Sequence, residues 1–101
     1  MDIDTIVLKI VSRLKSYDYI TLEILPAKKS NSIYIKINGQ CLIRVADHYS
    51  HKDHTCKYNI GNHIKSFHTL KNSYYYRTDR LNCMIKKISK YIEDNKKEYM
   101  K

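Results

Sequence analysis

The first part of the chain shows the hydrophobic period of an α-helix. Over residues 3–16 apolar side chains recur every three or four positions, while Lys9 and Arg13 fall between them. The apolar positions are Ile3, Ile6, Val7, Ile10, Val11 and Leu14. Asp2 or Asp4 can cap the first turn, because a carboxylate there accepts from backbone N–H groups that lack a helical partner. The pattern predicts an amphipathic helix with one buried face.

The same period returns near the C-terminus. The apolar positions there are Leu81, Met84, Ile85, Ile88, Tyr91 and Ile92. Thr78 is expected to cap this helix, with Asp79 in its first turn, and Lys96, Lys97 and Lys101 lie at its C-terminal end. Two amphipathic helices are therefore predicted, one at each end of the chain.

Between the helices the period shortens to two, which is typical of strands with one buried face. Apolar and polar residues alternate over 20–24, and this run stops at Pro26. A second alternating run covers 32–37, and an Asn-Gly pair at 38–39 separates it from a third at 40–46. Because Asn-Gly between two alternating runs is a strong hairpin signal, we predict that these two strands pair.

The same pattern predicts how the hairpin closes. A two-residue loop would set Ile33 opposite Arg44 and mix apolar with polar positions on each face. A three-residue loop with Gly39 in the left-handed conformation instead gathers the apolar positions on one side. We therefore predict the longer, bulged loop. The buried face of the hairpin would then hold Ile33, Ile35, Cys41, Ile43 and Val45.

Residues 47–77 have a less regular pattern. The patterns predict a short fourth strand at residues 58–60 and a short helix at residues 62–70. If the three tyrosines at 74–76 are extended, the first and third share one face and the second takes the other. Together the patterns predict an α+β fold. It consists of a small antiparallel sheet of three to four strands, with an N-terminal and a C-terminal helix packed on one face.

Composition adds a strong basic excess to this picture. The 101 residues, 43% of them hydrophobic, suit a single folded domain over 1–101. The net charge is +9, which attracts polyanions and excludes imitation of DNA by surface carboxylates. Residues 1–60 carry nine basic and six acidic side chains, a net of +3, whereas 61–101 carry ten and four, a net of +6. The C-terminal part is therefore the expected contact region.

Three features favour a cytoplasmic protein. No run approaches the ~18 apolar residues that a membrane-spanning helix needs. The first residues are acidic where a signal peptide would be basic. Cys41, Cys56 and Cys83 are odd in number and widely spaced, as expected of reduced thiols. We expect no membrane association.

All five histidines lie between residues 48 and 68. Zinc is usually held by imidazole and thiolate groups, and four residues here would suffice as ligands. The segment matches neither the zinc-finger nor the His-Glu-x-x-His spacing, so we expect a solvated loop without metal or cofactor. If a metal does bind, the predicted ligands are His54, Cys56, His63 and His68.

Catalytic chemistry has weaker support. Asp47 beside His48 suggests an acid–base pair, and His54, Asn59 and His63 loosely suggest a metal-dependent nuclease hairpin. Adjacent strand residues point to opposite faces, so Asp47 and His48 would diverge unless the strand has already ended. The sequence carries no Gly-rich phosphate loop and no activated serine motif. We expect a protein that is not an enzyme, with a zinc-dependent nuclease as the alternative.

Basic and aromatic residues are interleaved between positions 57 and 90. This stretch holds eight basic residues and one acidic residue, Asp79. Cations neutralise phosphates and aromatic faces stack on unpaired bases, so the mixture predicts contact with RNA or single-stranded DNA. The alternatives are a solvated helix face beside an aromatic strand, and a protein–protein surface. The predicted contact residues are Arg77, Arg80, Lys86, Lys87, Lys90, Tyr74, Tyr75, Tyr76, Lys57, Arg44 and His48.

The hairpin resembles a pattern of small phage and mobile-element proteins. Residues 32–37 read Ser-Ile-Tyr-Ile-Lys-Ile, and 41–48 read Cys-Leu-Ile-Arg-Val-Ala-Asp-His. They resemble the pattern Ser-x-Tyr-Ile … Ile-Arg-Val/Ile-Ser/Ala-Asp-His. The use of Lys, Ile, Asn and Tyr is also similar to that of phages with AT-rich genomes. Small proteins of that origin include the anti-CRISPR inhibitors, which bind a Cas effector and block guide-directed recognition or cleavage.

The resemblance implies a non-enzymatic inhibitor that acts on host defence in the host bacterial cytoplasm. Its partner would be a host protein or a protein–RNA effector complex. Many inhibitors of this size are acidic DNA mimics, and this chain departs from that pattern. Contact with guide RNA or with an acidic protein surface is therefore expected. The alternative is a stand-alone regulatory protein that binds RNA or single-stranded DNA.

Overall fold

The computed structural model describes residues 2–27, 31–48 and 56–100. Among these residues no helix is both long and apolar enough to cross a bilayer. The helices are α1 (Ile3–Leu14), α2 (Leu81–Asp94) and the short α3 (Lys96–Tyr99), and a 3₁₀ turn, Thr78–Arg80, precedes α2. The strands are β1 (Leu22–Pro26), β2 (Ser32–Ile37), β3 (Gln40–Ala46), β4 (Tyr58–Ile60), β5 (His68–Leu70) and β6 (Ser73–Tyr76).

The strands form one mixed sheet of six, in the order β1-β2-β3-β4-β6-β5. The first three strands pair antiparallel, β4 lies parallel to both β3 and β6, and β5 pairs antiparallel with β6 at the far edge. The predicted α+β class is confirmed. The predicted antiparallel sheet of three to four strands is too small and lacks the parallel pairs. Parallel neighbours are joined by crossover connections and leave no turn signal in the sequence.

The β2–β3 hairpin closes with a two-residue loop, because Ile37 pairs directly with Gln40. Asn38 and Gly39 both have positive φ, 50° and 82°, as the tight hairpin turn requires. The Oδ1 atom of Asn38 accepts a hydrogen bond of 2.6 Å from the backbone N–H of Thr21. The predicted three-residue loop is therefore wrong.

The change of register occurs within the strands. Ile35 pairs with Ile43, whereas its neighbour Lys36 pairs with Cys41, which leaves Leu42 as the extra residue of a β-bulge. Leu42 is buried in the core. The bulge keeps the apolar positions of the hairpin on one face, as predicted, but Cys41 lies opposite Lys36 on the other face.

Both terminal helices pack on the same face of the sheet. α1 is capped by Asp2, whose Oδ1 accepts from the Thr5 N–H at 2.7 Å. The core joins α1 and α2 to alternating positions of β2, β3, β4 and β6. Their buried residues are Ile6, Val7, Ile10, Val11, Leu14, Ile35, Ile37, Leu42, Ile43, Val45, Tyr58, Ile60, Tyr76, Leu81, Met84, Ile85, Ile88 and Ile92. The two amphipathic helices are thus confirmed.

Residues 62–70 do not form the predicted helix. Asn62 and His63 form a turn, and the segment then enters β5. β5 pairs with β6 through a second tight turn, in which Lys71 and Asn72 both have positive φ, 50° and 68°. This turn lacks glycine, which explains why no hairpin was predicted here. The short strand at 58–60 is confirmed, and the three tyrosines lie in β6, with Tyr74 and Tyr76 on one face and Tyr75 on the other.

Candidate nucleic-acid interface

A groove of about 450 Å³ opens where β6 leads into α2. One wall comes from the segment just before β5, and the other from the turn after β6 and the first half of α2. We call it the basic-aromatic groove. Its lining residues are Ser66, Phe67, Tyr76, Arg77, Asp79, Arg80, Cys83 and Lys87.

The helical period places three of these residues together. Arg80, Cys83 and Lys87 are spaced by three and four positions, so they share one side of the helix start. That side lies beside the buried stripe through Leu81 and Met84, which fixes α2 on the sheet. The rim of the groove is therefore set by a helix that the core holds in place.

Phe67 forms the aromatic part of the groove. Its ring centroid lies 5.1 Å from that of Tyr76, which is buried, and 6.4 Å from that of Tyr74. The Phe67 and Tyr74 rings are nearly parallel, at 13°. Phe67 is nevertheless 52% exposed. Phe67 thus contacts two tyrosines while about half of the residue is open to solvent.

The groove carries a positive excess. The Nε atom of Arg77 lies 3.3 Å from Oδ1 of Asp79, and both side chains are exposed. Within the described parts of the chain, neither Arg80 nor Lys87 has a carboxylate within ion-pair distance. With three basic residues and one acidic residue, the lining has a net charge of +2. Two cations therefore face solvent without a described acidic partner.

The start of α2 contradicts the expected cap. Thr78 begins the 3₁₀ turn, Arg80 stands at the N-cap position of α2, and neither the turn nor the helix has a side-chain cap. No acidic residue lies in the first turn of α2. A cation at the positive end of a helix dipole is unfavourable, whereas an anion there is favourable. The predicted Thr78 cap is wrong, and the local electrostatics favour an anion in the groove.

Four other predicted contact residues, on α2 and on the sheet, lie outside the groove. Lys86 and Lys90 are exposed on α2, and Nζ of Lys90 lies 3.1 Å from Oδ2 of Asp94. Lys57 places its Nζ 4.3 Å from the ring centroid of Tyr91. Tyr75 lies on the opposite face of the sheet and stacks on His68, with centroids 4.7 Å apart. These side chains do not add to the groove.

Arg44 and His48 also lie away from the basic-aromatic groove. Arg44 is 3% exposed, and its Nη2 donates to Oγ of Ser32 at 3.2 Å across the β2–β3 pair. It supports the sheet and presents no surface to a partner. His48 places Nδ1 3.1 Å from Oδ1 of Asp47. Because β3 has ended before both residues, their side chains meet rather than diverge.

The described residues do not assemble the predicted zinc ligands. Among residues 2–27, 31–48 and 56–100, no three His, Cys, Asp or Glu side chains come together. Burial, together with a hydrogen bond to Cys41, raises the pKa of Cys56 to about 12. The Nδ1 atom of His68 lies 3.1 Å from the Ser66 carbonyl oxygen. His54 lies outside the described residues.

The sequence places Phe67 among the aromatic residues of the stretch from 57 to 90, but it was left out of the predicted contact residues and assigned to a helix. Only the antiparallel pairing of β5 with β6 brings its ring beside Tyr76 and the start of α2. The spacing in the sequence carries no signal of this. Comparisons of the chain with protein-family models, with curated proteins and with solved structures gave no match.

Proposed function

We propose that this chain is a non-enzymatic binding protein that attaches to nucleic acid through the basic-aromatic groove. One observation carries the proposal. Arg77, Arg80 and Lys87, in the most basic part of the sequence, line one groove with an exposed phenylalanine. Cations that contact phosphates beside an aromatic face that can stack on bases are the usual components of such a surface.

The groove chemistry favours binding over catalysis. Of the described lining residues only Asp79 carries a carboxylate, and it is paired with Arg77. General acid–base catalysis needs a titratable group held in place by a second group and directed at the substrate. The groove instead offers positive charge and aromatic surface, which hold a polyanion without transforming it.

Charge reversal in the groove tests this function. Arg80→Glu combined with Lys87→Glu lowers the net charge from +9 to +5. If both side chains contact phosphates, affinity for a labelled RNA falls and the slope of log K against log salt shrinks by about two. Fluorescence anisotropy between about 50 and 200 mM salt measures both.

The matched control is Lys9→Glu with Arg13→Glu on the exposed side of α1, which also gives +5. This variant should keep most of the affinity and the original salt slope. Equal losses in the two double variants would show that binding follows net charge alone, and the groove assignment would then be wrong.

The hairpin resemblance supports a second candidate, an inhibitor of a host nucleoprotein such as a CRISPR effector. Two residues of the resembling pattern, Ser32 and Arg44, are hydrogen-bond partners across the hairpin, which gives their presence a structural explanation as well. For the inhibitor, the groove would contact RNA only inside the assembled effector. Pull-down from host lysate, with and without ribonuclease, separates the candidates. An inhibitor retains a defined effector complex and binds free RNA weakly, whereas a stand-alone binder retains many RNAs.

A further inference from the structure

From the shape of the basic-aromatic groove we infer that its ligand is an unpaired nucleotide of a single strand, with the base stacked on Phe67 and the flanking phosphates at Arg80 and Lys87. The inference rests on the proposed function and narrows it. It names the strand state of the nucleic acid and the residue that recognises it. RNA and single-stranded DNA share this chemistry, and the experiment below separates them.

Phe67 is the one phenylalanine of the chain. A phenyl ring left 52% exposed lacks the burial that normally holds such a side chain in a core. Tyr76 and Tyr74 are its aromatic neighbours, at centroid distances of 5.1 and 6.4 Å and with 51° and 13° between planes. The exposed part of the ring can accept a further flat ring. Stacking a base there would bury the ring further and extend the aromatic cluster.

The size and charge of the groove suit a single unpaired nucleotide. A groove of about 450 Å³ falls within the ~300–1,000 Å³ typical of small-ligand sites, so it suits one nucleotide. A base inside a duplex has both faces covered by its neighbours and cannot stack on a side chain. The Arg80 and Lys87 cations have no described acidic partner, so phosphates on either side of the base find complementary charge. The groove therefore favours an unpaired base.

Cys83 is exposed, and it lines the groove between Arg80 and Lys87. A nucleotide stacked on Phe67 would cover this thiol. Cys83 therefore reports occupancy of the groove itself, whichever part of the protein surface holds the rest of the strand.

The experiment measures binding of four probes of about ten nucleotides to the full chain. The probes are oligo-uridine, oligo-thymidine, an abasic strand of equal charge, and a duplex. We expect the single strands with bases to bind tightest and to slow iodoacetamide alkylation of Cys83 at least severalfold. Phe67→Leu should weaken binding of the base-containing strands by about tenfold to a hundredfold while leaving abasic binding unchanged.

Tyr34→Leu is the matched control, because it removes an aromatic ring from β2, away from the groove, and should leave all four affinities unchanged.

If Phe67→Leu weakens the binding of oligo-uridine more than that of oligo-thymidine, the site is assigned to RNA, and the reverse assigns it to DNA. Either result supports the inference. Equal binding of the abasic strand, tight duplex binding without Cys83 protection, or no effect of Phe67→Leu would each overturn it while leaving polyanion binding in place. Failure of every probe to bind would overturn the proposed function as well.

Discussion

At the scale of single residues, the side chains that resemble candidates for chemistry divide into structural and accessible ones. Arg44, Asn59 and Tyr58 are basic, polar or aromatic, yet all three are buried in the sheet. The Nδ2 atom of Asn59 donates to the carbonyl oxygens of Cys56 and Tyr74, each at 3.2 Å, and so joins β4 to its surroundings. Residue type alone therefore did not separate accessible candidates from residues that hold the sheet together.

Cys56 and Cys83 illustrate the same division for thiols. Cys83 is exposed, whereas Cys56 is buried with its Sγ 3.4 Å from that of Cys41. Burial and the Cys41 contact raise the pKa of Cys56 from 9.0 to about 12. In the unfolded chain the thiol returns to its ordinary value, so from about pH 9 upward the folded state retains a proton that the unfolded state has lost. Stability contributed by this thiol is present below pH 9 and declines as pH rises toward 12.

We therefore predict that Cys56→Ala reduces the alkaline loss of stability. Under reducing conditions, the wild-type free energy of unfolding should fall more steeply above about pH 9 than that of the variant. Urea denaturation at a series of pH values measures this. Cys83→Ala is the control and should follow the wild-type slope, because its thiol is exposed. Parallel curves for all three proteins would contradict the account.

At the scale of elements, the two hairpins differ in how visible they are in the sequence. The first turn carries Asn38 and Gly39, a pair that adopts positive φ easily. The second turn uses Lys71 and Asn72 in the same backbone region. A lysine in the sequence does not indicate positive φ. At Lys71 the β5–β6 pairing imposes this backbone conformation. This is why the first hairpin was predicted and the second was taken for a helix.

The two glycines should respond differently to alanine. Gly39 has φ of 82° and open space where a Cβ would stand, so Gly39→Ala adds only backbone strain, about 1 kcal/mol. At Gly61 an added Cβ would overlap the Ala46 carbonyl oxygen and crowd the His63 ring. Gly61→Ala should therefore cost about 3 kcal/mol or more. Urea denaturation of both variants measures the difference, and equal losses would contradict this structural explanation.

At the scale of the whole molecule, positive charge works against stability. A net charge of +9 on 101 residues produces self-repulsion at low salt. Arg80 adds a local term, since it stands at the N-cap of α2, where a cation opposes the helix dipole. Such a conflict between local preference and fold is typical of a functional surface. The groove therefore combines expected affinity for anions with a stability cost.

Charge reversal in the groove should accordingly stabilise the fold at low salt. We predict that Arg80→Glu with Lys87→Glu gains ~0.5–1 kcal/mol, where 1 kcal/mol corresponds to ~4–8 °C in Tm for a domain of this size. The variant with Lys9→Glu and Arg13→Glu has the same net charge but places an acid in the last turn of α1, so it should gain less. Thermal melts with and without added salt measure both. A groove variant less stable than the α1 variant would contradict this prediction.

The sequence by itself determined the elements whose pattern is local. The stripes of α1 and α2, the alternation of β2 and β3 and the Asn-Gly turn follow from side-chain periods and turn chemistry within a few residues. The first strand was predicted over 20–24, but it covers Leu22–Pro26 and leaves Ile24 45% exposed, because it is an edge strand of the sheet. The tertiary structure alone decided the strand order, the bulge at Leu42, the burial of Arg44 and the groove. Phe67 and Lys87 lie twenty residues apart and meet only because β5 pairs with β6 and α2 packs on the sheet. Contacts of this kind depend on pairing between distant segments, which a local hydrophobic period does not encode.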